Sequence, residues 1–320
     1  MSNPAPLVDD LVFPVTIPTP FAVGPVHCYL IRDEKKVLVD CGPYTEDAWR
    51  HMTRALAAEG LEVSDLDEIW LTHGHPDHFG QAAKLADISG ARIYGHRKER
   101  SNFASENDRE LFADFFDAHG LPRSAIQQMV EQLDWLQQFQ LPVTPEWVGV
   151  GEHLTSGTLS FRVWHTPGHA AGHVVFAGDQ GVVFGGDLLL KNITTNALIN
   201  FDPDTGERNR SLLQYRLSLQ KLLPYEGYLL PGHDEVIYDI PEVARHHLQD
   251  HEQRYREICS RLASRAYTLT ELAMAMFPEA MKSGDTFLVL SEVIGYLDWG
   301  INEDQIEEIH DRKGIRYAAF

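Results

Sequence analysis

Residues 71–80, LTHGHPDHFG, place three histidines and one aspartate within six positions. Imidazole and carboxylate groups are ligands that Zn²⁺, Fe and Mn²⁺ accept in proteins. A strand followed by a tight loop can present His73 and His75 to one ion, while Asp77 and His78 reach a second ion at the roughly 3.5 to 4 Å spacing of two-metal sites. One histidine alone is more often a core or capping residue, but four such residues at this spacing indicate a metal site.

Three later segments match the order of motifs in a known family. TPGHAAGH supplies His169, FGGD supplies Asp187 and LPGH supplies His233. Together with THGHPDH, they resemble the motifs of the metallo-β-lactamase-fold hydrolases over about residues 11–240. The resemblance implies an α/β fold, namely a four-layer αββα sandwich. It also implies two divalent metal ions, with Zn²⁺ expected and Fe or Mn as alternatives.

Carried over residue by residue, the resemblance assigns a role to each of the seven positions. The first metal ion would be held by His73, His75 and His169. The second ion would be held by Asp77, His78 and His233, with Asp187 bridging both ions. Asp77 and Asp187 are the two carboxylates expected to be catalytic.

Other residues near these motifs are given different roles. Asp40, at the end of VLVDCG, resembles the family aspartate that orients a histidine ligand, although a turn-capping aspartate after a strand explains it equally well. His165 and His173 are expected to be structural. Cys41 is close to the site in sequence, but no dedicated base accompanies it, so a nucleophilic role is not expected.

Two functions follow from the resemblance. In the first, hydroxide bridging two metal ions attacks the carbonyl of a carboxylic ester, thioester or lactone; TPGHAAGHVVF followed by GGDLLL is similar to glyoxalase II-like hydrolases. In the alternative, the protein is a phosphodiesterase or endoribonuclease of the same fold, since one such group carries a C-terminal winged-helix-like domain. A binding protein that has lost its metals would be expected to lack ligands, and here all seven are present.

Composition favours the first function. The chain has 320 residues with a net charge of −20, and residues 255–320 hold seven basic and eleven acidic residues, a net of −4. Such a surface repels a phosphate backbone, so a small-molecule substrate is expected and nucleic acid is not. The three cysteines have no CxxC spacing, and no signal peptide or membrane span is recognised, which indicates a cytoplasmic protein. A homodimer is a further prediction.

The elements that must position these residues alternate between strands and helices. VHCYLIRDEKKVLVDCG predicts two strands joined by a turn at residues 33–36, and TEDAWRHMTRALAAEG predicts a helix with Thr45 as N-cap. Further strands are predicted in EIW, ARIYGH, LSFRVWH and GYLLPGH, with a hairpin about residues 179–181. Several of these strands end in Asp, or in Gly followed by His or Asp, so one sheet edge is expected to collect the ligands.

Two domains are predicted: a catalytic domain at residues 1–245, with a helical insertion at about 98–150, and a winged-helix-like domain at residues 246–320. The Phe and Leu residues of the insertion recur at helical spacing. They are expected to form core, with a roof over the metal cleft as the alternative. TLTELAMAMFPEAM and SEVIGYLDWGINEDQIEEIH predict helices, and RKGIRYAAF predicts a final strand or hairpin.

Two sets of cationic or titratable side chains remain. His246, His247 and His251 are predicted to lie on a solvated helix face. Arg208 and Arg210 are expected to lie in a solvated loop, with the binding of an anionic substrate tail as the alternative.

Overall fold

In the computed structural model, which describes residues 10–106, 108–311 and 314–320, six strands form one mixed sheet in chain order. They are Val12–Ile17 (β1), Val26–Arg32 (β2), Lys36–Val39 (β3), Glu68–Trp70 (β4), Arg92–Gly95 (β5) and Glu146–Trp147 (β6). β1 to β3 pair antiparallel, with the predicted turn between β2 and β3, and β3 to β6 pair parallel.

A second sheet has the order β11-β10-β9-β8-β7. Its strands are His153–Ser156 (β7), Leu159–His165 (β8), Val174–Gly178 (β9), Val182–Gly186 (β10) and Tyr228–Pro231 (β11). Neighbours from β7 to β10 pair antiparallel, which confirms the hairpin predicted about residues 179–181, and β10 pairs parallel with β11. The carboxyl ends of β8, β10 and β11 therefore lie at the same edge of this sheet.

The two sheets pack face to face through a buried aromatic core, in which Trp70 lies 5.7 Å from Phe161 and 5.5 Å from Phe176 between ring centroids. Helices Glu46–Ala58 (α1) and Ala82–Ser89 (α3) cover the outer face of the first sheet, and the short helix Pro76–Phe79 (α2) precedes α3. Helices Ser211–Gln220 (α7) and Ile240–Leu262 (α8) cover the second sheet. The predicted four-layer α/β sandwich is confirmed, and Thr45 caps α1 by accepting a hydrogen bond from the Ala48 N–H.

Between β5 and β6 the chain forms three helices, Arg100–Phe103 (α4), Arg109–Ala118 (α5) and Arg123–Leu136 (α6). Their apolar residues do not all have the same environment. Phe116, Ile126 and Met129 are buried in the core, whereas Leu111 and Phe112 are only partly covered. The half-covered Phe112 faces a cavity described below.

The C-terminal region contains helices Leu269–Met276 (α9), Pro278–Ser283 (α10) and Thr286–Asn302 (α11). Strands Tyr267–Thr268 (β12), Ile306–Asp311 (β13) and Gly314–Ala319 (β14) form a sheet of order β12-β14-β13. Residues 312 and 313 of the predicted final hairpin lie outside the described residues, as do residues 1–9 of the segment predicted to lack a signal peptide. None of the helices in the described part of the chain is both long enough and apolar enough to cross a membrane.

Two helix predictions in this region were wrong in their extent. The segment 268–281 forms two helices, because Pro278 has no N–H to continue α9. The helix predicted to run through His310 ends at Asn302, where Asp304 takes a left-handed φ of 53°. The following residues pair with β14 instead, because the strand gives their backbone groups partners and buries Ile306 against Gly300.

Arg208 was predicted to lie in a solvated loop or to bind substrate, and both expectations were wrong. Its guanidinium forms two hydrogen bonds of 2.7 Å with Asp298 in α11. The side chains of Arg208 and Asp298 are only 21% and 6% exposed. This pair therefore fastens the C-terminal region to the sandwich, whereas Arg210 is exposed, as expected of a solvated loop residue.

The prediction of a solvated helix face holds for His246 and fails for its neighbours. His247 and His251 of α8 are buried. The Nε2 atom of His247 lies 2.9 Å from the Leu190 carbonyl oxygen. The His251 ring packs between Tyr215 and Tyr296. The reason is that α8 is covered on this side by α7 and α11, which the sequence of α8 alone does not reveal.

Candidate metal centre

The segment between β4 and α2 carries four of the seven predicted ligands. His73 and His75 lie in the loop, and α2 starts at Pro76, a position that proline favours because it has no N–H to leave unpaired. Asp77 and His78 follow in the first helical turn. Pro76 thus sets where the loop ends. His73 and His75 then lie before the helix and Asp77 and His78 within it, so the two pairs face neighbouring points in space.

Three histidine nitrogens form a first cluster. His75 Nδ1 lies 3.0 Å from His73 Nε2 and 2.9 Å from His169 Nε2. Nitrogen ligands of one tetrahedral zinc ion, each bound at about 2.0 to 2.1 Å, lie roughly 3.3 Å apart. The three rings therefore hold their nitrogens close to the separation that a shared ion requires.

Asp77, His78 and His233 form a second cluster, in which all ligand atoms lie within 4.8 Å of one another. His233 Nε2 is 3.3 Å from Asp77 Oδ2, and all three residues are buried. His233 comes from the end of β11, so the cluster joins the two sheets at one edge.

Asp187, at the end of β10, lies between the two clusters. Its Oδ1 is 3.3 Å from His78 Nε2, and its Oδ2 is 3.6 Å from His169 Nε2 and 3.8 Å from His233 Nε2. Asp187 Oδ1, His78 Nε2 and His233 Nε2 are buried without a hydrogen-bond partner among the described residues. Buried polar atoms normally have partners, so these orphaned atoms fit a divalent ion as the missing partner.

The pKa shifts of His75 and Asp187 also fit metal ions, which bind neutral imidazole and ionised carboxylate. Burial, and then the neighbouring His169, lower the pKa of His75 to about 3. Burial alone would raise the pKa of Asp187, but His78 and His233 outweigh it and hold that pKa well below its usual value. Burial lowers the pKa of His78, but Asp187 and Asp40 outweigh it and raise that pKa, so metal binding there must displace a proton.

Asp40 makes the contact with a histidine that the resemblance implied. Its Oδ2 lies 2.8 Å from His78 Nδ1, the nitrogen that faces away from the cluster. It also accepts hydrogen bonds from the backbone N–H and the hydroxyl of Thr72. Asp40 therefore orients the His78 ring and also holds the backbone after β4, whereas its side-chain bonds to Thr72 and His78 do not cap the turn after its own strand, β3.

Backbone carbonyl groups orient two further histidines. His169 Nδ1 lies 3.0 Å from the Asn196 carbonyl oxygen, and His233 Nδ1 lies 2.7 Å from that of Pro25. A hydrogen bond at Nδ1 leaves Nε2 free to face the cluster. Both rings are therefore fixed with the same tautomer and the same outward nitrogen.

Glu99 is a buried carboxylate that sequence reasoning missed. Oε2 accepts from the Gly74 N–H at 3.0 Å and from Asn102 at 2.8 Å, and Oε1 accepts from the Gly172 N–H at 2.5 Å. Gly74 lies between His73 and His75, and Gly172 follows His169 by three positions. Glu99 therefore ties together the two loops that carry the first cluster; its sequence context, GHRKER, carries no signal that would have indicated this.

His173, His165 and Cys41 have structural surroundings, as expected. His173 is buried beside the clusters, with Nδ1 2.9 Å from the Thr166 hydroxyl and Nε2 accepting from the Asp187 N–H. His165 stacks on His96. Cys41 is fully buried, and burial followed by the Asp40 charge raises its thiol pKa well above the usual value, which disfavours the nucleophilic thiolate.

A cavity of about 580 Å³ opens beside the clusters, with His75, Asp77 and His169 at its floor. Its walls come from α5, α6, residues 198–203 and the start of α11. The insertion therefore roofs the cleft as well as contributing core.

A family model for the metallo-β-lactamase superfamily matches residues 22–233, about two thirds of the chain. The chain belongs to this superfamily. The prediction of a metal-dependent hydrolase is confirmed at that level.

Three similar proteins span different shares of the chain. The probable metallo-hydrolase YqjP of Bacillus subtilis is 28% identical over 297 residues, which cover 90% of this chain and 91% of YqjP. The crystal structure of TTHA1429, a metallo-β-lactamase family protein of Thermus thermophilus, superposes with a TM-score of 0.83 at 25% identity, covering 97% of this chain and 99% of that one. The hydroxyacylglutathione hydrolase GloC of Haemophilus influenzae is 30% identical over 174 residues, covering 52% of this chain and 67% of GloC.

Proposed function

We propose that this protein is a dinuclear metal-dependent hydrolase of carboxylic esters, thioesters or lactones. The observation that carries the proposal is that His75, Asp77 and His169 belong to the ligand clusters and also form the floor of the cavity. A substrate in the cavity would therefore meet the metal-facing atoms directly.

The proposed ligand assignment follows the two clusters. The first ion would be held by His73, His75 and His169. The second would be held by Asp77, His78 and His233. Asp187 would bridge them, which its distances to His169 in the first cluster and to His78 and His233 in the second support. The mixed His and Asp set suits Zn²⁺, and also Fe or Mn²⁺.

Two divalent ions in this site would lower the pKa of the attacking water and polarise the carbonyl oxygen of the substrate. The residues of the chain contribute orientation and charge. Asp40 and the carbonyl groups of Asn196 and Pro25 fix three imidazole rings in advance, so little reorganisation is needed when substrate arrives. Asp77, at the cavity floor, is the carboxylate placed to accept or hold a proton beside the substrate.

The alternative function, phosphodiester cleavage, has less support. Beyond the metal ions, cationic side chains are expected to hold the charged backbone of a phosphodiester substrate, and Lys98 is the one Lys or Arg among the described residues that line the cavity. Its Nζ already contacts Asp202 at 2.6 Å and Asp204 at 3.1 Å. The net charge of −4 over residues 255–320 also disfavours a nucleic-acid-binding role for the C-terminal region.

A small-molecule substrate in the cytoplasm is part of the proposal. All three cysteines are unpaired, which suits a reducing compartment. Dimer formation stays a prediction that measurement of the mass in solution would test.

Metal content and substrate class can be tested together. Metal would be measured by mass spectrometry on protein purified without added metal, followed by assays on p-nitrophenyl acetate, S-lactoylglutathione and bis-p-nitrophenyl phosphate. The proposal expects about two ions per chain and turnover of the carbonyl substrates. Turnover of the phosphodiester alone would favour the alternative, and no metal after reconstitution would refute both.

A further inference from the structure

The wall of the cavity is predominantly apolar and aromatic. Phe112 of α5 makes edge-to-face contacts with Phe201, at 5.1 Å between centroids, and with Phe287 of α11, at 5.6 Å. On the other side Phe21 packs edge-on against Trp135 of α6 at 6.2 Å. Five separate segments of the chain thus converge to build a pocket of the size and character that holds small apolar ligands.

The charges at the cavity are acidic. The lining includes Asp77, Glu106, Asp108 and Asp285, and burial followed by the nearby Glu106 raises the pKa of Asp108. Lys98, the one basic side chain among the described lining residues, is engaged by two aspartates. A carboxylate or phosphate on the part of a substrate that lies against this wall, away from the proposed metal ions, would therefore be desolvated without a free cationic partner.

Asn196 connects the C-terminal region to the first ligand cluster. The Asn196 carbonyl oxygen contacts His169 Nδ1, while its side-chain amide donates to the Leu288 carbonyl oxygen at 2.9 Å. The Ile199 N–H donates to Ser291 Oγ at 3.2 Å, and His119 Nε2 lies 2.9 Å from the Tyr317 hydroxyl. These hydrogen bonds fix the position of the wall formed by Phe287 and Leu288 relative to the ligand clusters and to α5.

From these observations we infer that the pocket binds an uncharged acyl group with an apolar chain, and that Phe287 and Leu288 at the start of α11 select for it. The inference rests on the proposed function and names its substrate class. Because the described residues of the wall offer carboxylates no free cationic side chain, we expect substrates whose acyl or thiol part carries carboxylates, such as glutathione thioesters, to be hydrolysed poorly. The C-terminal region is then a specificity element of the active site.

Chain length and charge can be varied separately in p-nitrophenyl esters, each rate being normalised to alkaline hydrolysis. At about threefold per buried methylene, the octanoate should exceed the acetate in kcat/KM by roughly 100-fold or more, mainly through KM. The suberate monoester has the same length as the octanoate but ends in a carboxylate, and it should lose most of that advantage. Equal kcat/KM for acetate and octanoate, or for octanoate and suberate, would overturn the inference.

The role of α11 is tested by placing a cation on the wall. Leu288 is 43% exposed, so Leu288→Lys can fold with its stem along the wall, and it should raise the ratio of suberate to octanoate turnover about fivefold. Met274→Lys is the matched control, because Met274 is 42% exposed on α9 and is not a lining residue. The same change in both variants, or in neither, would refute the assignment to Leu288.

A binding measurement separates this inference from the proposed function. Calorimetric titration of the metal-containing protein with 2-decanone, which has no hydrolysable bond, should show saturable binding that Leu288→Lys weakens and Met274→Lys does not. Ketone binding without ester turnover would uphold the pocket and refute the proposed function. Ester turnover without ketone binding and without chain-length preference would leave the function and refute the pocket.

Discussion

Glu99 offers the sharpest test of how the metal centre is built, through the variant Glu99→Gln. The carboxylate accepts from two backbone N–H groups and from Asn102. Glutamine keeps the size but turns one acceptor into a donor, so one buried N–H, at Gly74 or Gly172, loses its partner. Leaving a buried donor unpaired costs about 1 to 3 kcal/mol, and the other bonds lose their charged acceptor, so we expect the free energy of unfolding to fall by about 2 to 3 kcal/mol.

The more informative effect of Glu99→Gln is on metal binding. Gly74 and Gly172 belong to the loops of the first cluster, whereas His78 and His233 are held by Asp40 and the Pro25 carbonyl. Loss of an orienting contact typically costs 10- to 100-fold in metal affinity. We therefore expect one of the two ions to bind roughly 10- to 100-fold more weakly, while the affinity for the other stays within about threefold.

Urea unfolding and competition with a chromophoric chelator would measure the two effects separately. Glu110→Gln, on the exposed face of α5, removes the same charge and serves as the control. Weakening of both ions to the same degree, or lower stability with both affinities unchanged, would contradict the proposed connection between Glu99 and the first cluster.

Three further predictions concern the proposed bridging carboxylate Asp187, the Arg208–Asp298 ion pair and a buried histidine. Asp187→Ala should abolish turnover and loosen both ions while circular dichroism stays unchanged; retained activity would exclude a bridging role. Arg208→Ala leaves Asp298 buried without its cation, so unfolding free energy should fall by about 3 kcal/mol in urea titrations. A second change, Asp298→Asn, should recover part of that loss, and full additivity would contradict a direct pair. Burial, followed by Arg216, lowers the pKa of His251 to about 3, so this histidine stays neutral in the folded protein. In the unfolded chain this histidine has a pKa near 6.5, so at lower pH it is protonated in the unfolded state but not in the folded state. The free energy of unfolding therefore falls by about 1.4 kcal/mol for each pH unit, until the pH reaches the pKa of the folded state. In His251→Leu, the free energy of unfolding measured with urea should depend less steeply on pH between pH 6.5 and 4. A pH dependence as steep as that of the unchanged protein would refute this.

The convergence of the seven candidate ligands was the most predictable part of the molecule, because much of their chemistry is local in sequence. The spacing of His73, His75, Asp77 and His78 brings four side chains to one loop whatever surrounds it. The strands that supply His169 and Asp187 could also be recognised, since β8 and β10 have strong β-forming sequences and end at glycine-containing turns. Where strands end, their last side chains meet, and the seven groups converge at one edge as expected.

Residues whose role depends on contacts distant in sequence could not be predicted in this way. Glu99 and Arg208 look like solvated charges in their own segments, and each is buried by partners from elsewhere in the chain. His247 and His251 follow the same pattern, because α7 and α11 cover the face of α8 that carries them. The end of α11 was predicted too far along the chain for a similar reason. Residues 303–310 have ordinary helical propensity, but their pairing with β14 overrides it.

The position of Asn196 connects these distant contacts to function. One residue contacts a metal-facing histidine through its carbonyl oxygen and the specificity wall through its side chain. We therefore expect a substrate that displaces the start of α11 to act on the orientation of His169 through Asn196. If the pocket is specific for apolar chains, Asn196→Ala should lower kcat for octanoate more than for acetate, because only the longer chain presses on that wall. An equal loss for both esters would mean that Asn196 orients His169 without sensing the wall.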